Sequence, residues 1–283
     1  MNGYFDYWGK AHGSDQAKPF HLLPFHALDV AAVGAELLAR DSRSLEKIEA
    51  LSGFSATSLR KVLPYLLALH DLGKFSEPFQ DQLPELVKEL QGARDARPSR
   101  LRHDTIGYLL WRCWSSLKPD PREAEFLPKL HGISLSNGSL GARDVGDVML
   151  TWMAAVLGHH GKPPEATALP FDVFKAHPDK PVARSRQDAA AFALAVNELL
   201  KPGALVSQAN DVDGLIAQTQ RASWWVAGFT ILCDWLGSNT QFFPYEREPR
   251  SLESYCGRAR WLMESRPGWL VSTEAVRARR ASA

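Results

Sequence analysis

At 283 residues, 45% of them hydrophobic, the chain is long enough for one large domain or two small ones and needs no disulfide staples to hold a core. Its formal net charge of +1 excludes a broadly basic surface, so any nucleic-acid role must rest on a local patch. Cys113, Cys233 and Cys256 form no CxxC pair, which argues against a disulfide framework or a thiolate zinc site. No uncharged apolar run approaches the roughly 20 residues of a membrane span, so a cytoplasmic protein with no membrane partner is expected.

The opening stretch, "MNGYFDYWGKAHG", lacks the basic end and apolar stretch of a signal peptide. Helical periodicity then recurs in "FHALDVAAVGAELLAR" (25–40), "SLRKVLPYLLALHDLG" (58–73), "HDTIGYLLWRCWSSL" (103–117), "DVGDVMLTWMAAVLGHH" (144–160), "SRQDAAAFALAVNELL" (185–200) and "ASWWVAGFTILCDWLGS" (222–238). In the second of these, Leu63, Leu66, Leu67 and Leu69 crowd one side, and Gly73 is expected to end the helix as a C-cap. Loops are expected at 91–102 and 131–144, and the Pro-rich passage 161–181 is placed to form a flap beside a His-His pair. After Tyr245 come a charged linker, "EREPR", a helix with Ser251 at its N-cap, and a basic end, "VRARRASA". Convincing alternating strands are absent. The expectation is an all-α fold, with a compact helical domain over 1–245 and a linker, helix and tail over 246–283.

Five of the nine histidines share a logic: His26 near a helix start, His70 beside Asp71, His103 at a helix start, and His159 with His160 at a helix end. Asp234 joins them from the last apolar helix, and each of these groups is costly to bury unpaired. Taken singly they have ordinary readings. His70 gains from a helix C-terminus with Asp71 as partner, His26 and His103 serve as hydrogen-bonded histidines, and Asp234 pairs with a buried arginine. Taken together, five imidazoles and two carboxylates can complete two adjacent metal sites, with Asp71 placed to bridge them. Such donors favour Mn, Fe, Co or Ni over Mg.

Around this set, Asp29 and Asp104 lie close enough in sequence to orient ligand imidazoles. Lys74, three residues beyond Asp71, falls near the same face if the turn persists; the competing reading is a solvated helix-end cation. His12, His21, His131 and His177 stand in polar or Pro/Gly-rich surroundings and are expected at the surface. Cys113 and Cys233 read as core. So do Trp111, Trp114, Trp152, Trp224, Trp225 and Trp235, which sit at helical spacing, whereas Trp8 in "WGK" is the tryptophan better placed to stack on a base.

In chain order His26, His70-Asp71, His103, His159-His160 and Asp234 resemble the HD phosphohydrolase superfamily. More closely, "YWGKAHG", "HALDVAAVG", "LHDLGKFSEPFQ", "RHDTIGYLL", "LGHHGKP" and "ILCDWLGSNTQFFPY" are similar to the HD nuclease domain of the CRISPR type I interference helicase-nuclease, over residues 7 to 245. Only the stretch from Pro119 to Asp144 looks longer than the family pattern. The resemblance implies two divalent metal ions, one held by His26, His70, Asp71 and Asp234, the other by Asp71, His103, His159 and His160. It further implies that Asp71 and Lys74 are catalytic, that Lys74 faces the scissile phosphate, and that Ser238 contacts a ligand or phosphate. The implied substrate is single-stranded DNA, and the implied partners are the CRISPR surveillance complex and a helicase. No GxxxxGK[ST] motif occurs, so the helicase is expected in cis beyond Ala283 or in trans on another chain. Two rival readings are a phosphohydrolase acting on nucleotides or cyclic nucleotides, and a noncatalytic adaptor.

Overall fold

The computed structural model describes residues 3–11, 20–93, 101–115, 133–135, 138–164 and 184–265. At its centre lies helix α1 (Leu23–Arg40), apolar around its whole circumference, so that every side needs cover. An unbroken run from Leu23 to Gly34 is buried, and it includes His26 and Asp29. Helices α3 (Ala56–Ala68), α9 (Val212–Gly237) and α10 (Leu252–Ser265) supply most of the cover, with α2 (Ser42–Ser52) and strand β1 (Trp8–Ala11) beside them. Helix α7 (Ala142–Leu157) packs on α9 and on α6 (His103–Trp114), while α8 (Arg184–Leu200) packs on α3. Two short helices, α4 (Glu77–Gln80) and α5 (Pro84–Gln91), complete the ten described helices.

The all-α expectation holds, with two small sheets added among the described residues. Strand β1 pairs antiparallel with β2 (Phe20–Leu22); β3 (Ile133–Leu135) pairs antiparallel with β4 (Gly138–Ser139) and parallel with β5 (Leu205–Val206). Strands this short carry too few residues to show alternation in the sequence. The expected loop at 131–144 therefore contains β3 and β4, while the Pro-rich passage from 165 to 181 and the basic tail lie outside the described residues.

Helix boundaries differ from the periodic runs for local reasons. Helix α9 begins ten residues before its apolar run, where the Asp211 side chain accepts a hydrogen bond from the Gly214 amide at 2.7 Å. Helix α2 carries no long apolar run; the Asp41 carboxylate starts it and Gly53, at φ 69°, ends it. Helix α10 starts beside Ser251, whose hydroxyl accepts from the Ser254 amide at 3.2 Å.

Gly73 is not the cap of α3. That helix stops at Ala68, turns carry Leu69 to Asp71, and a 3-10 helix follows at Leu72–Phe75. A Cβ on Gly73 would lie 1.8 Å from the His103 carbonyl oxygen and 2.6 Å from the Gly107 amide nitrogen. The missing side chain thus lets this turn press against the start of α6, which brings His103 to Asp71.

Gly73→Ala is expected to destabilise the fold by about 3 kcal/mol, because backbone rather than a flexible side chain blocks the new methyl group. Gly228→Ala, on an open face of α9 with nothing within 4 Å, is expected to stabilise by about 0.5–1 kcal/mol. Urea unfolding of both variants against the parent chain measures each shift.

Candidate metal centre

Three helices end at one place. His70 and Asp71 follow the C-terminus of α3, His159 and His160 follow that of α7, and Asp234 sits one turn before that of α9. Helix C-termini carry partial negative charge, and here they add to two carboxylates in a buried volume. His26 enters from the first turn of α1 and His103 opens α6. The arrangement calls for positive charge at its centre.

The side chains form two groups that share Asp71. His26 Nε2 and His70 Nε2 each stand 3.2 Å from Asp71 Oδ2, and they lie 3.3 and 3.6 Å from Asp234 Oδ1. On the other side, His103 Nε2 and His159 Nε2 are 3.4 and 3.7 Å from Asp71 Oδ1, while His160 Nε2 is 3.0 Å from His103 Nε2. Within His26, His70 and Asp234, and within Asp71, His103, His159 and His160, the donor atoms all lie inside 4.8 Å of one another, the spacing of ligands around one ion. His160 is exposed, so the second group faces solvent.

Hydrogen bonding tests whether this set suits a cation. Among the described residues, both ring nitrogens of His26, Nε2 of His70 and both Asp71 oxygens are buried with no hydrogen bond of good geometry, although charged neighbours stand close, the Lys74 ammonium at 2.7 Å among them. Burying that many polar atoms unsatisfied is costly, whereas a shared cation satisfies them together. His70 Nδ1 donates to the Leu67 carbonyl at 2.8 Å and His159 Nδ1 to the Val156 carbonyl at 3.1 Å. A carbonyl only accepts, so each Nδ1 carries a proton and each Nε2 faces the centre. The residues present fit divalent metal.

Lys74, buried against Asp71 Oδ2 at 2.7 Å, also donates to the Gly9 carbonyl at 3.0 Å. Ser238 donates from Oγ to Asp234 Oδ1 at 3.0 Å. Sequence reasoning passed over Lys10, whose ammonium lies 3.2 Å from the same Asp234 oxygen. Its proximity to Asp234 is a tertiary contact across the fold, and "WGK" alone does not announce it.

Several expectations need correction. His21 is buried rather than exposed, with Nε2 2.9 Å from Asp29 Oδ2 and its ring stacked on Tyr245. Asp29 does not orient a ligand imidazole, because it is held by His21 and by the Tyr255 hydroxyl at 3.0 Å. Asp104 pairs with Arg102 and accepts from the Thr105 amide; the helix-end carbonyls of Leu67 and Val156 do the orienting instead. Trp8 is buried on Phe79, its indole donating to the Gln80 carbonyl, so it offers no face to a base. Trp111, Trp114 and Trp152 are core, but Trp224, Trp225 and Trp235 are exposed on α9, because among the described residues only one stripe of that helix is covered. Cys233 is buried and Cys113 only partly so. His12, His131 and His177 lie outside the described residues.

The local field sets protonation. Burial, with Lys10 nearby, pushes His26 down to about 4, and burial, with His70 nearby, pushes His159 down to about 2. Burial opposes charge on His70 as well, but Asp71 and Asp234 override it and lift the imidazole to about 9. Against burial, Lys74 and His70 hold the Asp71 carboxyl well below its ordinary range; His26 and His70 do the same for Asp234. His26 and His159 are therefore neutral, the form that ligates, while the raised His70 registers the centre's demand for a cation.

The linkage has two signs. His26 and His159, depressed on folding, contribute stability that is lost as pH falls below 6.5 toward about 4 and about 2. His70, raised on folding, contributes stability that is complete below 6.5 and lost as pH rises through about 9. These groups place the stability maximum of the chelator-treated protein near pH 6.5, and His70→Asn is expected to flatten the alkaline limb. Chemical unfolding at a series of pH values measures both limbs.

A family model described as Cas3, HD domain, matches residues 8–243. The CRISPR-associated endonuclease/helicase Cas3 of Escherichia coli (strain K12) is 28% identical over 261 residues, covering 83% of this chain and 26% of that protein. The chain therefore spans about a quarter of that relative's length. The Thermus thermophilus cas3 HD domain, solved in the presence of Ni2+, superposes with a TM-score of 0.51 at 22% identity, covering 87% of this chain and 83% of that one. A chain of a CRISPR RNA-guided surveillance complex in a pre-nicking state gives 0.54 at 18% identity, covering 92% of this chain and 29% of that one. At these identities the superpositions speak for the fold. The family match takes in all the clustered residues from His26 to Asp234, and the chain belongs to the Cas3 HD-domain family.

Proposed function

We propose that this domain is a metal-dependent nuclease that hydrolyses phosphodiester bonds of single-stranded DNA in type I CRISPR interference. The observation that carries the reading is the Asp71 carboxylate, whose two buried oxygens each face a separate histidine group. One site takes His26, His70, Asp71 and Asp234, and the other Asp71, His103, His159 and His160. The nitrogen-rich donor set favours Mn, Fe, Co or Ni over Mg, in keeping with the Ni2+ present with the Thermus thermophilus relative.

When bound, such ions supply a nucleophilic water at neutral pH and stabilise charge on phosphoryl oxygens. The chain's own residues prepare that chemistry. The Leu67 and Val156 carbonyls hold two imidazoles in the ligating orientation, Lys74 keeps Asp71 ionised and adds positive charge to the centre, and Ser238 fixes Asp234. His160 is exposed, so the second histidine group is the side a polymer strand would approach. Residues 1–245 carry the site. The segment 246–283 leads toward a helicase, in cis or in trans, and helix α10 within it packs on α1 through the stacked rings of Tyr255 and Phe25. The surveillance complex is the partner that delivers the displaced strand.

Asp71→Ala is expected to reduce Mn2+-dependent cleavage of a labelled single-stranded oligonucleotide by about a hundredfold or more, with circular dichroism unchanged. Undiminished cleavage by that variant rejects the site. The parent chain should cleave the oligonucleotide in preference to a panel of nucleotides and cyclic nucleotides; the reverse preference indicates the small-molecule phosphohydrolase. Ni2+ affinity, measured calorimetrically, is expected to tighten as pH rises toward about 9, because ligation must displace the proton His70 holds.

A further inference from the structure

The pairing of β1 with β2 runs Trp8 to Leu22 and then Lys10 to His21, so the register slips at Gly9. Such a bulge re-aims the side chain that follows it. Here the backbone on both sides of the slip is held. Gln80 accepts from the Trp8 amide at 3.2 Å, and its own amide group donates to the Trp8 carbonyl at 3.0 Å and the Lys74 carbonyl at 2.7 Å. Lys74 Nζ donates to the Gly9 carbonyl. A Cβ on Gly9 would stand 2.9 Å from Leu23 Cα, so β1 lies tight against the start of α1. A rigid strand therefore delivers Lys10 to the centre, where its ammonium meets Asp234 Oδ1 at 3.2 Å.

The two lysines of the site are placed differently. The Lys74 side chain is 6% exposed and fastened at both Asp71 and the Gly9 carbonyl, while that of Lys10 is 25% exposed and, among the described residues, is held by a contact with Asp234. A buried, doubly held ammonium cannot reach out to a polymer. A partly exposed one on a fixed strand can turn from the carboxylate to an incoming anion.

We propose that Lys10 is the substrate-binding cation of this site, gripping a phosphodiester oxygen of the strand beside Asp234, while Lys74 acts inside as a positioning residue for Asp71. The proposal rests on the nuclease reading above. It needs no covalent step, since Lys10 donates a charge-assisted hydrogen bond and keeps its proton.

The test uses the full chain loaded with Mn2+, a labelled single-stranded oligonucleotide, and the variants Lys10→Ala and Lys10→Arg. Lys10→Ala is expected to raise KM about tenfold or more with kcat changed less than about twofold, and to lower the slope of log affinity against log salt by about one. Lys10→Arg should restore most of the affinity, and Mn2+ binding should be no weaker in either variant. Unchanged KM and salt dependence in Lys10→Ala overturn the proposal and leave Lys10 a mere partner of Asp234. Loss of Mn2+ binding also overturns it. If the parent chain leaves the oligonucleotide intact, the nuclease reading fails by itself; the same KM comparison on bis(p-nitrophenyl) phosphate then still decides Lys10.

Discussion

Everything in this domain is arranged around a carboxylate that the fold buries among imidazoles and an ammonium, away from water. Asp71 is nearly inaccessible, its oxygens face four imidazoles and the Lys74 ammonium, and its charge is held by these neighbours rather than by water. A site of this kind is strained electrostatically when empty of compensating charge and quiet when that charge arrives. The neutral His26 and His159 and the raised His70 are two faces of that one condition.

The scaffold meets this demand with helix ends. Side chains carried in mid-helix would need long reaches to converge, whereas three C-termini aimed at one point bring short side chains together and add their own dipoles. The close approach at Gly73 is what allows α6 to join them. Central helix α1 bears His26 at one turn and Asp29 at the next, so the buried His21–Asp29–Tyr255 network ties the helix carrying His26 to α10. That network consumes the polar groups of Asp29, which is why this aspartate does not serve the imidazoles. The open face of α9, with Trp224, Trp225 and Trp235 exposed, shows the same economy of cover, since one stripe of the helix suffices to pack on α1, α2 and α7.

Much was legible in the amino-acid sequence. Periodic apolar runs located α1, α3, α6, α7, α8 and the second half of α9, because 3.6-residue patterning is a local property. The order of His26, His70-Asp71, His103, His159-His160 and Asp234 marked one constellation, since so many costly polar groups at the ends of apolar helices call for one explanation. What stayed hidden depends on partners distant in the chain. Whether His21 is solvated or buried turns on Asp29 and Tyr255, and whether Trp235 is core turns on how many helices surround α9. The role of Gly73 depends on the carbonyl of His103, and the place of Lys10 on a strand slip read against α1 and Asp234. Sequence alone thus determined the helical class and the set of candidate ligands, which are matters of pattern and composition. Only the tertiary structure decided which polar atoms remain unpaired, which lysine faces outward and which tryptophans lie open, because burial and contact are properties of the packed chain.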